Sequence, residues 1–129
     1  MAVSVLTGVK VDAVNGIFTA LMTTDASSTA SGIYCGFTPR VVKITQVGGT
    51  PGVTALVWWY EGMTAGYNGV MTSAGAVTIP TSNGITPTTG SEATVVAKAT
   101  GSPAASGPGF VVGSGAQTAS LVYMVEAYR

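Results

Sequence analysis

The chain contains no histidine, a single cysteine, and only five basic and five acidic residues in 129 positions. Each shortage removes a class of chemistry. Without histidine, Ser–His–Asp and Cys–His nucleophiles are excluded, as are zinc sites built on His and Cys clusters. Cys35 has no partner for an intrachain disulfide and reads as a small buried hydrophobe. The acids Asp12, Asp25, Glu61, Glu92 and Glu126 lie far apart in sequence. A glycosidase-type carboxylate pair would have to be assembled entirely by the fold. The stretch "GGTPG" (Gly48–Gly52) lacks the lysine of a phosphate-binding loop, and no run of clustered oxygen ligands suits calcium. The chain is therefore read as a non-enzyme with no cofactor and no metal.

Charge is scarce in a second sense. Charged residues make up 8% of the chain, where an ordinary soluble domain carries roughly 25%. A surface so poor in charge self-associates or precipitates when left bare, so much of it is expected to be covered by partners. Net charge is zero, and Lys10, Arg40, Lys43, Lys98 and Arg129 are scattered. Nucleic acid needs a basic patch and is not an expected ligand. No apolar run approaches the ~20 residues that span a bilayer, and the alternating "MAVSVLTGVKV" does not read as a signal peptide. Synthesis in a cytoplasm without membrane insertion is the expectation.

What is present is β-forming. Eighteen glycines, six prolines and many Thr, Ser and Val residues argue against long helices. Strand candidates are Val3–Val11, Gly16–Thr24, Gly32–Phe37, Arg40–Val47, Thr54–Glu61, Ala76–Ile79, Ala93–Ala99, Gly109–Gly113 and Ala119–Tyr128. In the first, Val3, Val5, Val9 and Val11 share one face and Ser4, Leu6, Gly8 and Lys10 the other. The last is apolar on both faces up to Glu126, as a central strand would be. The spacing predicts one all-β domain over residues 1–129. It would be a two-sheet antiparallel β-sandwich, jelly-roll-like, with eight to nine short strands and almost no helix. "GGTPG" is read as the turn between two strands, and the Asn-Gly pair of "SNGIT" (Ser82–Thr86) as a second turn. The stretches "TSAGAVTIPTSNGITPTTGS" and "ATGSPAASGPG" read as long loops.

The order "GFTPRVVKITQV" (Gly36–Val47), "VWWYEGM", "SNGIT" and a closing strand ending in "YMVEAYR" resembles small virion proteins of tailed bacteriophages, in particular capsid decoration or cement proteins. The resemblance implies a β-sandwich on the exterior of the capsid, often a homotrimer, bridging neighbouring copies of the major capsid protein. The same pattern fits a tail or fibre-tip protein that binds a host receptor or glycan.

The stretch "ALVWWYEGM" (Ala55–Met63) carries the densest functional signal. Side chains alternate between faces along a strand, so Leu56, Trp58 and Tyr60 share one side and Val57, Trp59 and Glu61 the other. The first set is apolar except for one phenol and is expected in the core. The second ends in a carboxylate and is expected to face outward, with Trp59 covered by a partner and Glu61 at the rim. A bulge would exchange the two sets. Arg40, fixed behind Pro39, and the aromatic Tyr67 complete the expected interface: Trp59, Glu61, Arg40 and Tyr67.

Overall fold

A computed structural model describes residues 5–24, 30–49, 55–64, 66–88, 95–96 and 108–129. Among them are eleven strands and one turn of 3-10 helix, Ser114–Ala116. The strands are β1 (Val5–Asp12), β2 (Ile17–Thr23), β3 (Ser31–Tyr34), β4 (Val41–Gly48), β5 (Leu56–Tyr60), β6 (Gly69–Met71), β7 (Val77–Thr78), β8 (Ile85–Thr88), β9 (Val95–Val96), β10 (Gly109–Val112) and β11 (Val122–Tyr128). They form two sheets, one ordered β1-β2-β11-β4-β5-β6-β7 and the other β8-β10-β3-β9. All described pairings between strands are antiparallel except β3–β9. The all-β sandwich expected from the sequence is the observed architecture.

The strand count is higher than the expected eight to nine, because β6 and β8 were not anticipated. β8 and β7 both lie within Thr72–Ser91, which reads as loop in the sequence. Pro87 sits in β8, which is tolerated because β8 is an edge strand of its sheet. The stretch Thr100–Gly107, the ends of the Ala93–Ala99 candidate, and Thr50–Gly52 of the "GGTPG" turn lie outside the described residues. Asn83 adopts φ 56°, a left-handed conformation that Asn tolerates, in the bend before β8.

One face of each sheet fills a shared core. Across the seven-stranded sheet, inward rows read Phe18, Ala127, Val42, Trp59 and Ala20, Val125, Ile44, Val57, Val70, all of them buried. The four-stranded sheet contributes Ile33, Ile85, Phe110 and Val112. Phe18 and Phe110 meet edge to face between the sheets, with ring centroids 6.5 Å apart and planes at 81°. In β1 the pairing slips between Thr7 and Lys10, where Gly8 takes φ +60°. This bulge changes the phase of the strand. Leu6 points into the core before it, and Val9 packs against the core after it. The simple valine face read from the sequence therefore holds only beyond the bulge.

Buried polar groups tie the end of β2 to the approach to β11. The Thr24 hydroxyl donates to the Thr118 carbonyl at 2.6 Å and accepts from the Leu121 amide at 2.9 Å. The Tyr123 hydroxyl, itself fully buried, accepts from the Thr118 amide at 3.0 Å. At the β1–β2 turn, Asp12 accepts from the Asn15 side-chain amide at 2.8 Å and its backbone amide at 3.1 Å. These bonds, the side-chain one foremost, hold the Asp12 carboxyl below its ordinary value.

Two outcomes follow. Phe110→Ala removes the inter-sheet ring contact and leaves a cavity, and should cost about 3–5 kcal/mol in denaturant unfolding. Asp12, with a folded pKa below its unfolded one, adds stability that is fully present above the unfolded value near 3.8 and is lost as pH falls through the folded value. Asp12→Ala should therefore lower stability at neutral pH and flatten its decline on acidification. An acid limb as steep as that of the parent chain would contradict this.

Candidate interface on the seven-stranded sheet

The outward face of the large sheet is laid out by its register. One row runs Lys10, Thr19, Glu126, Lys43, Trp58, Gly69. Two residues along, the next row runs Thr7, Leu21, Met124, Thr45, Leu56, Met71, Val77. In the opposite direction lie Asp12, Ile17, Tyr128, Val41 and Tyr60. Arg40, Glu61 and Arg129 follow directly beyond this last row. The seven charged residues of the described segments thus all lie on, or at one end of, this sheet. The row containing Leu21, Met124, Leu56 and Met71 carries none.

This arrangement corrects the expected orientation of β5. Val57 and Trp59 are buried, at 0% and 3% exposure, whereas Tyr60 is 44% exposed and Trp58 half-buried. Trp59 is therefore a core residue and not an interface residue. No bulge within β5 causes the exchange, since its pairing with β4 is unbroken from Thr45–Leu56 to Val41–Tyr60. The cause is the neighbouring strand. Val42 and Ile44 face inward, and the residues opposite them are Trp59 and Val57. The indole N–H of Trp59 finds no acceptor among the described residues, a cost that its burial among apolar side chains must outweigh. Trp58 lies across Gly69, where an added Cβ would come within 2.0 Å of the indole ring. A bare glycine backbone thus gives the outward tryptophan a surface to lie on, and a partner is not needed to explain it.

The other expected interface residues have distinct places. Arg40 Nε donates to Glu61 Oε2 at 2.8 Å, with both side chains largely exposed. Such a pair contributes at most about 1 kcal/mol and is weakened by salt. Backbone bonds fix its two ends: the Glu61 amide donates to the Arg40 carbonyl at 2.7 Å and the Arg40 amide to the Tyr128 carbonyl at 2.8 Å. Arg40, Glu61, Val41, Tyr60 and Arg129 line an open cleft of about 320 Å³. The Arg129 guanidinium also donates to the Val14 carbonyl. Tyr67 is half-buried in the β5–β6 loop that begins at Glu61, does not line this cleft, and its amide donates to the Thr64 carbonyl. The structure brings Arg40 and Glu61 together and leaves Tyr67 and Trp59 elsewhere.

Cys35 is fully buried, its thiol donates to the Phe37 carbonyl at 3.3 Å, and burial pushes its pKa up, away from the thiolate. Burial, followed by the charge of Glu126 and a hydrogen bond to it, raises the Tyr128 phenol. Among the described residues no three His, Cys, Asp or Glu side chains gather into a group that could hold a metal. Sequence reasoning missed Trp58, Tyr60, Leu21, Leu56, Met71 and Met124 as surface groups. The alternation of Lys43 and Thr45 with Val42 and Ile44 in β4 was the signal that could have found them.

The two tryptophans should separate in mutagenesis. Trp59→Ala is expected to destabilise the fold by about 3–5 kcal/mol. Trp58→Ala should cost distinctly less and leave the far-ultraviolet spectrum unchanged. Equal losses in chemical denaturation would contradict the observed orientation. No family model, curated protein or solved structure matches this chain.

Proposed function

We propose that this chain is a structural protein of a virion, a decoration protein that binds the outer surface of the major capsid shell and stabilises it. The observation that carries the reading is the outward face of the seven-stranded sheet. Leu21, Met124, Leu56 and Met71 form a band on it with no charge among them, on a chain whose charge is already scarce. A surface of this kind is suited to being covered in an assembly. The resemblance of the Gly36–Val47, "VWWYEGM" and "SNGIT" segments to phage decoration proteins supplies the identity of that assembly. A subunit that binds only the assembled shell stabilises it by mass action.

Particles purified from infected cells test the reading. Quantitative mass spectrometry should find hundreds of copies of the chain per particle, and particles lacking it should lose their genome at lower temperature. A few copies per particle would place it in the tail. Absence from particles would overturn the proposal.

A further inference from the structure

We infer that the outward face of the seven-stranded sheet is covered by a second copy of this chain, packed face to face about a two-fold axis along the seam between β11 and β4. The inference rests on the reading of that face as one covered in an assembly and names a second copy as its occupant, which leaves contact with the shell to the rest of the surface.

Glu126 and Lys43 are direct neighbours across the β11–β4 seam, at the middle of the strand order. Although they are neighbours, the ion pair found among the described residues is Arg40–Glu61. Two sheets packed face to face keep their strands nearly aligned, about 10 Å apart. An axis along the seam exchanges β11 with β4, β2 with β5 and β1 with β6. Each Glu126 then faces a Lys43 of the second copy, twice over. Leu21 faces Leu56, Ile17 faces Tyr60, Tyr128 faces Val41, and Thr19 faces Trp58. Lys10 faces Gly69, over which the Trp58 indole of the second copy lies. No like charges are opposed.

Three other two-folds, those that pass through Glu126 or Lys43, fail on the same charges. An axis along β11 sets Glu126 over Glu126, and one along β4 sets Lys43 over Lys43. An axis across the strands at their row does both. Like charges brought together in a desolvated contact cost several kcal/mol. The mixed signs of the row also fit an isologous contact better than a partner of one strong charge.

Area is sufficient. Six strands at ~4.8 Å spacing and three rows at ~6.8 Å cover on the order of 600 Å² per copy. Two such faces reach roughly 1,200 Å², the lower bound of stable specific interfaces. The contact closes at two copies, where the resemblance implies three.

Sedimentation equilibrium of the purified chain, up to about 1 mM protomer, tests the inference at the weak end expected for this area. A monomer–dimer equilibrium is expected. Lys43→Glu and Glu126→Lys should each weaken the dimer about tenfold or more, and the two together should restore it. Each single reversal also sets like charges side by side within one copy, so thermal melts must show that the variants fold. Leu56→Gln, which leaves the charged row intact, is the independent variant and should weaken the dimer with little change in melting. A trimer, or a dimer indifferent to all of these changes, overturns the inference. A monomer that still binds particles overturns it and leaves the assembly reading standing. A monomer that binds no particles overturns both.

Discussion

The large sheet depends on one strand reaching its slot. β11 lies between β2 and β4, and without it the β1–β2 hairpin and the β4–β7 series have no common edge. Its register is continuous with β2 over seven residues, from Val122–Thr23 to Tyr128–Ile17. On the other side it pairs with β4 over the same length, with one slip at Val122/Tyr123. Both partners are distant in sequence. The loop-closure entropy of joining them must be met before the pairing returns anything. The Thr24–Thr118–Tyr123 hydrogen bonds sit where β11 begins its descent, and so fix its start against β2. The inward rows Phe18–Ala127–Val42 and Ala20–Val125–Ile44 show the same dependence, because β11 supplies the middle member of each.

The second layer follows from this. Phe18 is held in place by the β2–β11 pairing, and it is the residue that Phe110 meets across the sandwich. The four-stranded sheet is small and rich in Gly, Thr and Ser, so the large rings and branched side chains of Phe110, Ile33, Ile85 and Val112 provide most of its apolar volume. The charges of the described residues are left to the other sheet, where they collect toward the end at which β11 finishes and β4 begins.

Much of this was legible in the sequence, and the exceptions have physical causes. Turn chemistry and β-branched runs located β1 to β5, β7 and β9 to β11, and the two-sided apolar character of Leu121–Val125 identified a central strand. β6 and β8 escaped because Gly69 and Pro87 weaken the local signal, and pairing with β5 and β10 overrides that weakness. The orientation of Trp58 and Trp59 was misread for a related reason. Leu56–Tyr60 is apolar throughout, so a period of two has nothing polar to anchor it. Glu61 looked like an anchor, but it lies past the strand in an ion pair with Arg40 and follows the end of the sheet, not its face. Only a strand with clear alternation can set the parity of its neighbour, and β4 does so through Lys43 and Thr45.

The same features decide how such a chain can associate. Open sheet edges invite pairing with other strands unless they are short, kinked or interrupted. Here β7 is two residues long, β8 carries Pro87, and β1 is broken by the Gly8 bulge with Lys10 just beyond it. These edges resist extension of the sheet by main-chain hydrogen bonding. The broad outward face has no comparable protection. It is guarded by charge at one end and by uncharged Leu, Met, Thr and Val side chains toward the other. Association is thereby directed to side-chain packing on a face, where register and charge can select the partner, and away from strand addition, where sequence counts for little.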